Sequence, residues 1–342
     1  MSEAMGLTAA EVIRLTRGQF PAAAAGEIRV EPILKGGSDR RYFRLSTEAP
    51  AGDPCRAMVF MRYTAERSDN LGFVFATEIL SRHGVAVPRI LAHNREKMYL
   101  WSEDAGSVDL WDLRDAPWKE REPYYVAALG EAAAIHRIRE EELAEAERGR
   151  LQPIFDRSLY QWEQDYFFRQ FASRYSTLAA DELEAVRADG AFRRIAEELA
   201  ALPRFLVHRD FQSQNVIIHP AGGVRLIDYQ GLRPGRPEYD VASLLLDPYA
   251  EIDPAARADL ILRYREMRSG PDWEWSDAVY AKCACQRLMQ ALGAYGYLGN
   301  VLGKEAFFEH IPVAAERLRE VVRSSGILRE LIAVLKLRDN LP

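Results

Sequence analysis

The period of the hydrophobic positions changes along the chain. Over residues 28–64 apolar and polar positions alternate in short runs: Ile28, Val30 and Ile33 predict a strand, and Tyr42, Phe43 and Leu45 a returning one. The run RAMVFMRYT (56–64) predicts a third strand, 70–83 a helix, 84–93 a strand with Pro88 at its edge, and 97–101 a further strand. Ahead of these, 7–16 reads as a short amphipathic helix and PAAAAG (21–26) as a linker. From about residue 121 the spacing becomes helical, over 121–138, 159–175, 180–200, 254–268, 275–299 and 311–337. The charge run 139–150 reads as a solvated helix face or loop. One stretch interrupts the helical part: FLVHRDFQSQNVIIHPAGGVRLIDYQG (205–231) is an apolar run, a polar cluster, then two apolar runs around PAGG, the pattern of a hairpin with a four-residue loop.

The polar residues of that stretch carry chemistry. Asn215 follows five residues after Asp210, and Asp228 ends the second hairpin strand. A hairpin brings its outer ends together, so Asn215 and Asp228 are expected side by side, with Asp210 on the loop before them. An amide oxygen and a carboxylate form a hard-oxygen site that suits Mg²⁺. With a second carboxylate to take a hydroxyl proton, this is the layout of phosphoryl transfer. The spacing matches the kinase catalytic loop H-R-D-x-x-x-x-N, with a strand-end Asp in the place of D-F-G. Each residue alone would be read as turn chemistry; the ordered set makes Asp210 the candidate base and Asn215 and Asp228 the candidate metal ligands.

HRDFQSQN, LIDYQG and GRPEYDVASLLLDPY resemble the motifs of the aminoglycoside phosphotransferase-like superfamily, and within it the anomeric N-acetylmuramate/N-acetylglucosamine 1-kinases. The likeness runs from about residue 30 to 325 and is densest over 205–250. It implies an α+β, two-lobed, protein-kinase-like fold, with a small antiparallel-sheet lobe over 1–104 and a mainly helical lobe over 105–342. It implies an ATP- and Mg²⁺-dependent kinase for the anomeric hydroxyl of an N-acetylated amino sugar. GGSDRRYFR resembles the family's phosphate-loop segment, and Gly36, Gly37, Ser38 and Arg40 are expected to approach the nucleotide phosphates. Arg62 stands where kinases carry a phosphate-binding Lys, and Phe73 where its Glu partner would stand. Trp101 and Glu103 fall at the expected adenine hinge. Arg233 and Arg236, on a loop, are candidates for an acidic group of the acceptor, and Arg287 lies in the family's substrate-wall helix. Asp240 is expected to hold the backbone of the catalytic loop, and His136 to be a core histidine.

Composition narrows the partners. A formal net charge of −6 speaks against a nucleic-acid binder. No apolar run reaches the ~20 residues of a membrane helix, and MSEAMGLTAAEVIRL lacks a basic start before an apolar core, so no signal peptide is expected. Cys55, Cys283 and Cys285 form neither a disulfide set nor a zinc site. A monomeric cytoplasmic enzyme is the expectation. The alternatives are a kinase of the same fold for another sugar, an aminoglycoside or an amino alcohol, and a silent nucleotide-binding sensor.

Overall fold

The computed structural model describes residues 7–23, 25–34 and 40–338. The chain forms two compact units, Met1–Ser107 with Ile217–Gln230, and Val108–Val216 with Gly231–Pro342. The first unit runs three residues past Asp104 and takes in 217–230, a segment that the sequence reading puts in the second lobe.

In the first unit, β1 (Ile28–Ile33), β2 (Arg41–Thr47), β3 (Ala57–Arg62), β4 (Ile90–Asn94) and β5 (Tyr99–Glu103) make an antiparallel sheet in the order β1-β2-β3-β5-β4. The strand expected over 84–93 pairs only from Ile90, because Pro88 has no N–H to offer a ladder. Helix α1 (Ala9–Gln19) sets Val12 against Phe43, Phe60 and Trp101. Burial of an aromatic side chain of this size contributes about 2–3 kcal/mol. The indole N–H of Trp101 donates to Thr16 Oγ1 at 2.9 Å, which satisfies its one polar atom. Helix α2 (Phe73–Arg82) buries Phe75, Ala76, Thr77, Ile79 and Leu80. The expected hairpin forms from β7 (Val216–Ile218) and β8 (Val224–Leu226), and the Leu226 N–H donates to the Ala86 carbonyl at 2.9 Å. Gly106, at φ 119°, lies so close to this hairpin that a Cβ would sit 3.0 Å from the Ile218 carbonyl oxygen.

The second unit is mainly helical. Its helices of two turns or more are α3 (Trp118–Ile135), α4 (Arg157–Phe167), α5 (Ala180–Arg187), α6 (Gly190–Ala201), α7 (Pro237–Leu245), α8 (Pro254–Arg268), α9 (Asp277–Asn300) and α10 (Ile311–Ser325). The helix expected over 159–175 widens into a π turn at Phe168–Ala172. There α9 comes so close that a Cβ on Gly296 would lie 2.2 Å from the Gln170 carbonyl oxygen. Tyr160, Phe167, Phe171 and Tyr175 are buried with Cys283 and Cys285 in one core. A short strand that the pattern did not predict, β9 (Arg233–Gly235), pairs antiparallel with β6 (Phe205–Val207). Among the described residues no helix is long and apolar enough to cross a membrane.

Candidate active site

Strand β6 runs straight into His208-Arg209-Asp210, and two aspartates of the α7 region clamp the loop that carries these residues. Asp240, inside α7 and fully buried, accepts the N–H of His208 at 2.6 Å and of Arg209 at 2.9 Å. It also meets His136 Nε2 at 3.0 Å, and His136 Nδ1 meets the Tyr264 hydroxyl at 2.7 Å. His136 is thus the satisfied core histidine expected, and Asp240 holds the loop backbone. The clamp tolerates Arg209 at φ 77°, a left-handed conformation that costs a non-glycine residue about 1–2 kcal/mol. At the other end Asp247 accepts both the N–H (2.7 Å) and the hydroxyl (2.6 Å) of Ser213. Between them the Asn215 side-chain N–H donates to the Asp210 carbonyl at 2.8 Å, which leaves the Asn215 amide oxygen without that duty.

The Asp210 carboxylate meets one Nη of Arg209 at 3.1 Å and is 27% exposed, so it is reachable. Burial pushes its pKa up, but the guanidinium charges of Arg209 and Arg287 outweigh burial, and the net direction is down. A carboxylate held this way stays ionised well below neutrality. The acid limb of kcat/KM, where it reports Asp210, should therefore lie below the ordinary aspartate range. Arg287→Gln removes one of the lowering charges and should move that limb to higher pH. A limb at the wild-type position would show that Arg287 has no electrostatic hold on Asp210.

The first unit carries Asp228. Asp228 ends the hairpin at φ 62°. Its Oδ1 accepts from Arg40 Nη2 at 2.6 Å and from the Gln230 side-chain amide at 3.0 Å. Tyr229 locks this turn to α2: its ring stacks on Phe73 at 5.0 Å and its hydroxyl meets Thr77 Oγ1 at 2.8 Å. Phe73, which stands where a kinase carries its glutamate, thus makes an aromatic contact instead of an ion pair. The donor set suits a hard cation, because Asp228 Oδ1 already attracts one cationic group and Gln230 Oε1 is buried with no partner among the described residues. Among the described residues, no group of three or more His, Cys, Asp and Glu side chains gathers for a metal. A site here has to draw on amide oxygens and on the ligand itself.

The remaining expectations fare unevenly. Gly36, Gly37 and Ser38 lie outside the described residues. Arg62 ends β3, paired with Arg41 and Tyr99, and no ion pair joins it to the exposed Glu78. Trp101 is corrected as an adenine neighbour: it is 1% exposed, its ring packs in the core, and its strand is paired on both sides with Phe60 and Ala92. Glu103 ends β5, with its N–H donating to the Arg89 carbonyl at 2.8 Å and its carboxylate meeting Arg89 Nε at 3.1 Å. Arg236 does not face a substrate. It is buried, its fork grips Glu238 at 2.8 and 3.1 Å, and its third nitrogen donates to the Pro203 carbonyl. Arg233 is not on a loop but in β9, where it stacks on Phe155 and donates to the Gly231 carbonyl. Burial beside Arg209 pulls it down to about 10, with Asp210 opposing. Arg287 is buried and bonded to Ser243, Gln290 and Gln212. Sequence reasoning passed over Asp247, Gln230 and Glu163. The last is a fully buried carboxyl that accepts from Tyr239 and Gln286 and is pushed up by burial. Asp247 and Gln230 sit inside recognisable motifs and carried a signal; Glu163, within an aromatic helix, carried none.

The profile of the protein family described as "Phosphotransferase enzyme family" matches residues 29–279. The N-acetylmuramate/N-acetylglucosamine kinase of Pseudomonas aeruginosa is 25% identical over 336 residues, covering 91% of this chain and 92% of the relative. The kinase of the same name from Neisseria meningitidis is 26% identical over 263 residues, covering 73% and 75%. Among solved structures, a choline/ethanolamine kinase family protein from Mesorhizobium loti aligns with a TM-score of 0.60 at 17% identity, covering 95% of this chain and 99% of that one. An aminoglycoside phosphotransferase in a ternary complex with ADP and hygromycin B aligns with a TM-score of 0.55 at 18% identity, covering 92% and 99%. The five-stranded antiparallel sheet with a mainly helical remainder is the protein-kinase-like, α+β fold that the sequence resemblance implied.

Proposed function

This chain belongs to the phosphotransferase enzyme family and is a phosphotransferase acting on hydroxyl groups, and we propose that it is an ATP- and Mg²⁺-dependent kinase for the anomeric hydroxyl of an N-acetylated amino sugar. The observation that carries this reading is the clamped loop 208–215, which presents an ionised Asp210 beside Arg209. In it Asp210 orients the acceptor hydroxyl and receives its proton. The Asn215 amide oxygen and the Asp228 carboxylate hold the metal. Magnesium, when bound, counters the charge of the transferring phosphates. Arg40 and Arg62 are the proposed phosphate contacts on described residues, with Gly36, Gly37 and Ser38 as loop donors. The relatives' names support N-acetylmuramate or N-acetylglucosamine as acceptor, and the cytoplasm is the proposed place of action because the reaction needs ATP.

A kinase for choline or an aminoglycoside is the second reading, since proteins so named share the fold. The surroundings of Asp210 oppose it. Arg209, Arg287 and Arg233 all act on that carboxylate, and three guanidinium groups repel a cationic acceptor but suit a neutral or carboxylate-bearing one. The deciding experiment measures ADP release with Mg-ATP against N-acetylmuramate, N-acetylglucosamine, glucosamine, glucose, kanamycin and choline. Turnover on the N-acetyl sugars with an acid-labile product phosphate supports the anomeric kinase. Turnover on choline or kanamycin alone would overturn it.

A further inference from the structure

Arg40 is an unusual arginine. Its side chain is 4% exposed, yet it makes one described hydrogen bond, from Nη2 to Asp228 Oδ1 at 2.6 Å. Its Nε and Nη1 are buried and have no partner among the described residues. Buried polar groups almost always find partners, so two donors on one guanidinium that lack partners among the described residues need a reason. Asp228, by contrast, is 32% exposed and reachable by a ligand. Gln230 adds a second donor on the same Oδ1, and its own Oε1 has no partner among the described residues. The two side chains therefore cover the oxygen of Asp228 with positive and partial positive charge while holding hydrogen-bonding capacity in reserve.

We propose that Arg40 is the resident cation of Asp228, displaced from Oδ1 when a divalent metal enters with the nucleotide. Resting on the reading of Asp228 as a metal ligand, this makes Arg40 a competitor of the metal and, once released, a phosphate ligand. The planar guanidinium fork matches two oxygens of a phosphate, and Nε and Nη1, without partners among the described residues, supply the donors. Gln230 obeys the same logic, for turning its amide brings Oε1 rather than Nε2 towards the cation. Metal and nucleotide then bind as linked events: each finds its group freed by the other, and the coupling is reciprocal. The protein without nucleotide holds divalent metal weakly, which ties metal capture to nucleotide capture. Helix α2 does not take part, because Thr77 and Phe73 engage Tyr229 and not the carboxylate.

The test is Mn²⁺ titration monitored by electron paramagnetic resonance on the whole chain without nucleotide, for wild type, Arg40→Ala, Arg40→Gln and Asp228→Asn. Loss of a competing charged hydrogen bond should tighten Mn²⁺ binding about ten- to hundredfold in the Arg40 variants. In the same variants ADP should bind more weakly, and Mn²⁺ should no longer improve ADP affinity as it does in wild type. Asp228→Asn should lose the Mn²⁺ site. Wild-type Mn²⁺ affinity in both Arg40 variants, with the site lost in Asp228→Asn, overturns the role of Arg40 and leaves the metal ligand in place. Unchanged Mn²⁺ binding in Asp228→Asn overturns both. If neither Arg40 variant folds, peptide mapping of wild-type protein treated with phenylglyoxal decides. Labelling of Arg40 should rise when Mn²⁺ is added, and labelling that stays constant overturns the displacement.

Discussion

Replacing Asp210 by alanine is expected to lower kcat by roughly 10²–10⁴-fold, about 2.7–5.4 kcal/mol of transition-state stabilisation, while the protein stays folded and binds nucleotide near normally. The fold survives because the carboxylate is not part of the scaffold. Its one described side-chain partner is Arg209, and the loop is held through backbone groups by Asp240, Asp247 and Asn215. Asn215 bonds the Asp210 carbonyl, which the substitution leaves in place. Asp210→Asn should lose a similar factor, because an amide keeps the shape but accepts no proton. Single-turnover kinetics with a thermal-unfolding control checks this. Turnover within about threefold of wild type in either variant removes Asp210 from the base role, whatever the nucleotide affinity.

Asp240→Ala should unfold the second unit more easily and abolish turnover together. Two backbone N–H groups and the His136 ring lose their acceptor inside a fully buried site. Each unsatisfied buried donor costs about 1–3 kcal/mol, so a loss of roughly 3 kcal/mol or more is expected. At about 2–4 °C per kcal/mol for a unit of this size, Tm should fall by roughly 6–12 °C. Arg209 sits at φ 77° because Asp240 holds its N–H, so the loop should also relax out of the geometry that presents Asp210. Asp240→Asn, with one acceptor oxygen left, should recover part of the stability and little of the turnover. Calorimetry paired with the ADP-release assay measures both. An Asp240→Ala protein with normal Tm and normal kcat would mean that the loop holds itself.

The two variants separate kinds of information. The loop and hairpin that carry Asp210, Asn215 and Asp228 were legible in the sequence because the proposed phosphoryl transfer needs defined residue types at defined spacings, all within residues 205–231. The strands of the first unit were legible for the same local reason: alternation over six or seven residues reports a half-buried strand. Asp240 could be expected to hold the loop because it stands in a dense run of recognisable motif. What failed were side-chain assignments made from position alone. Trp101 and Arg236 stood in the expected segments, but burial turned each towards protein partners, whereas Arg233 and Arg287, though bonded within the protein, still act on the Asp210 carboxylate. An arginine carries the same charge in a sequence whether it faces solvent or grips Glu238.

By itself, then, the sequence determined the order of elements, the loop 208–215 and the chemistry proposed for its spacing, because these depend on neighbours a few residues apart. Tertiary structure alone decided which groups meet across long stretches of chain. Arg40 and Asp228 are 188 residues apart, Thr77 and Tyr229 are 152 apart, and His136 and Asp240 are 104 apart. No periodicity encodes such pairs. They form because a desolvated charge or hydroxyl has to find a partner within the packed unit, and only packing determines which partner lies within reach.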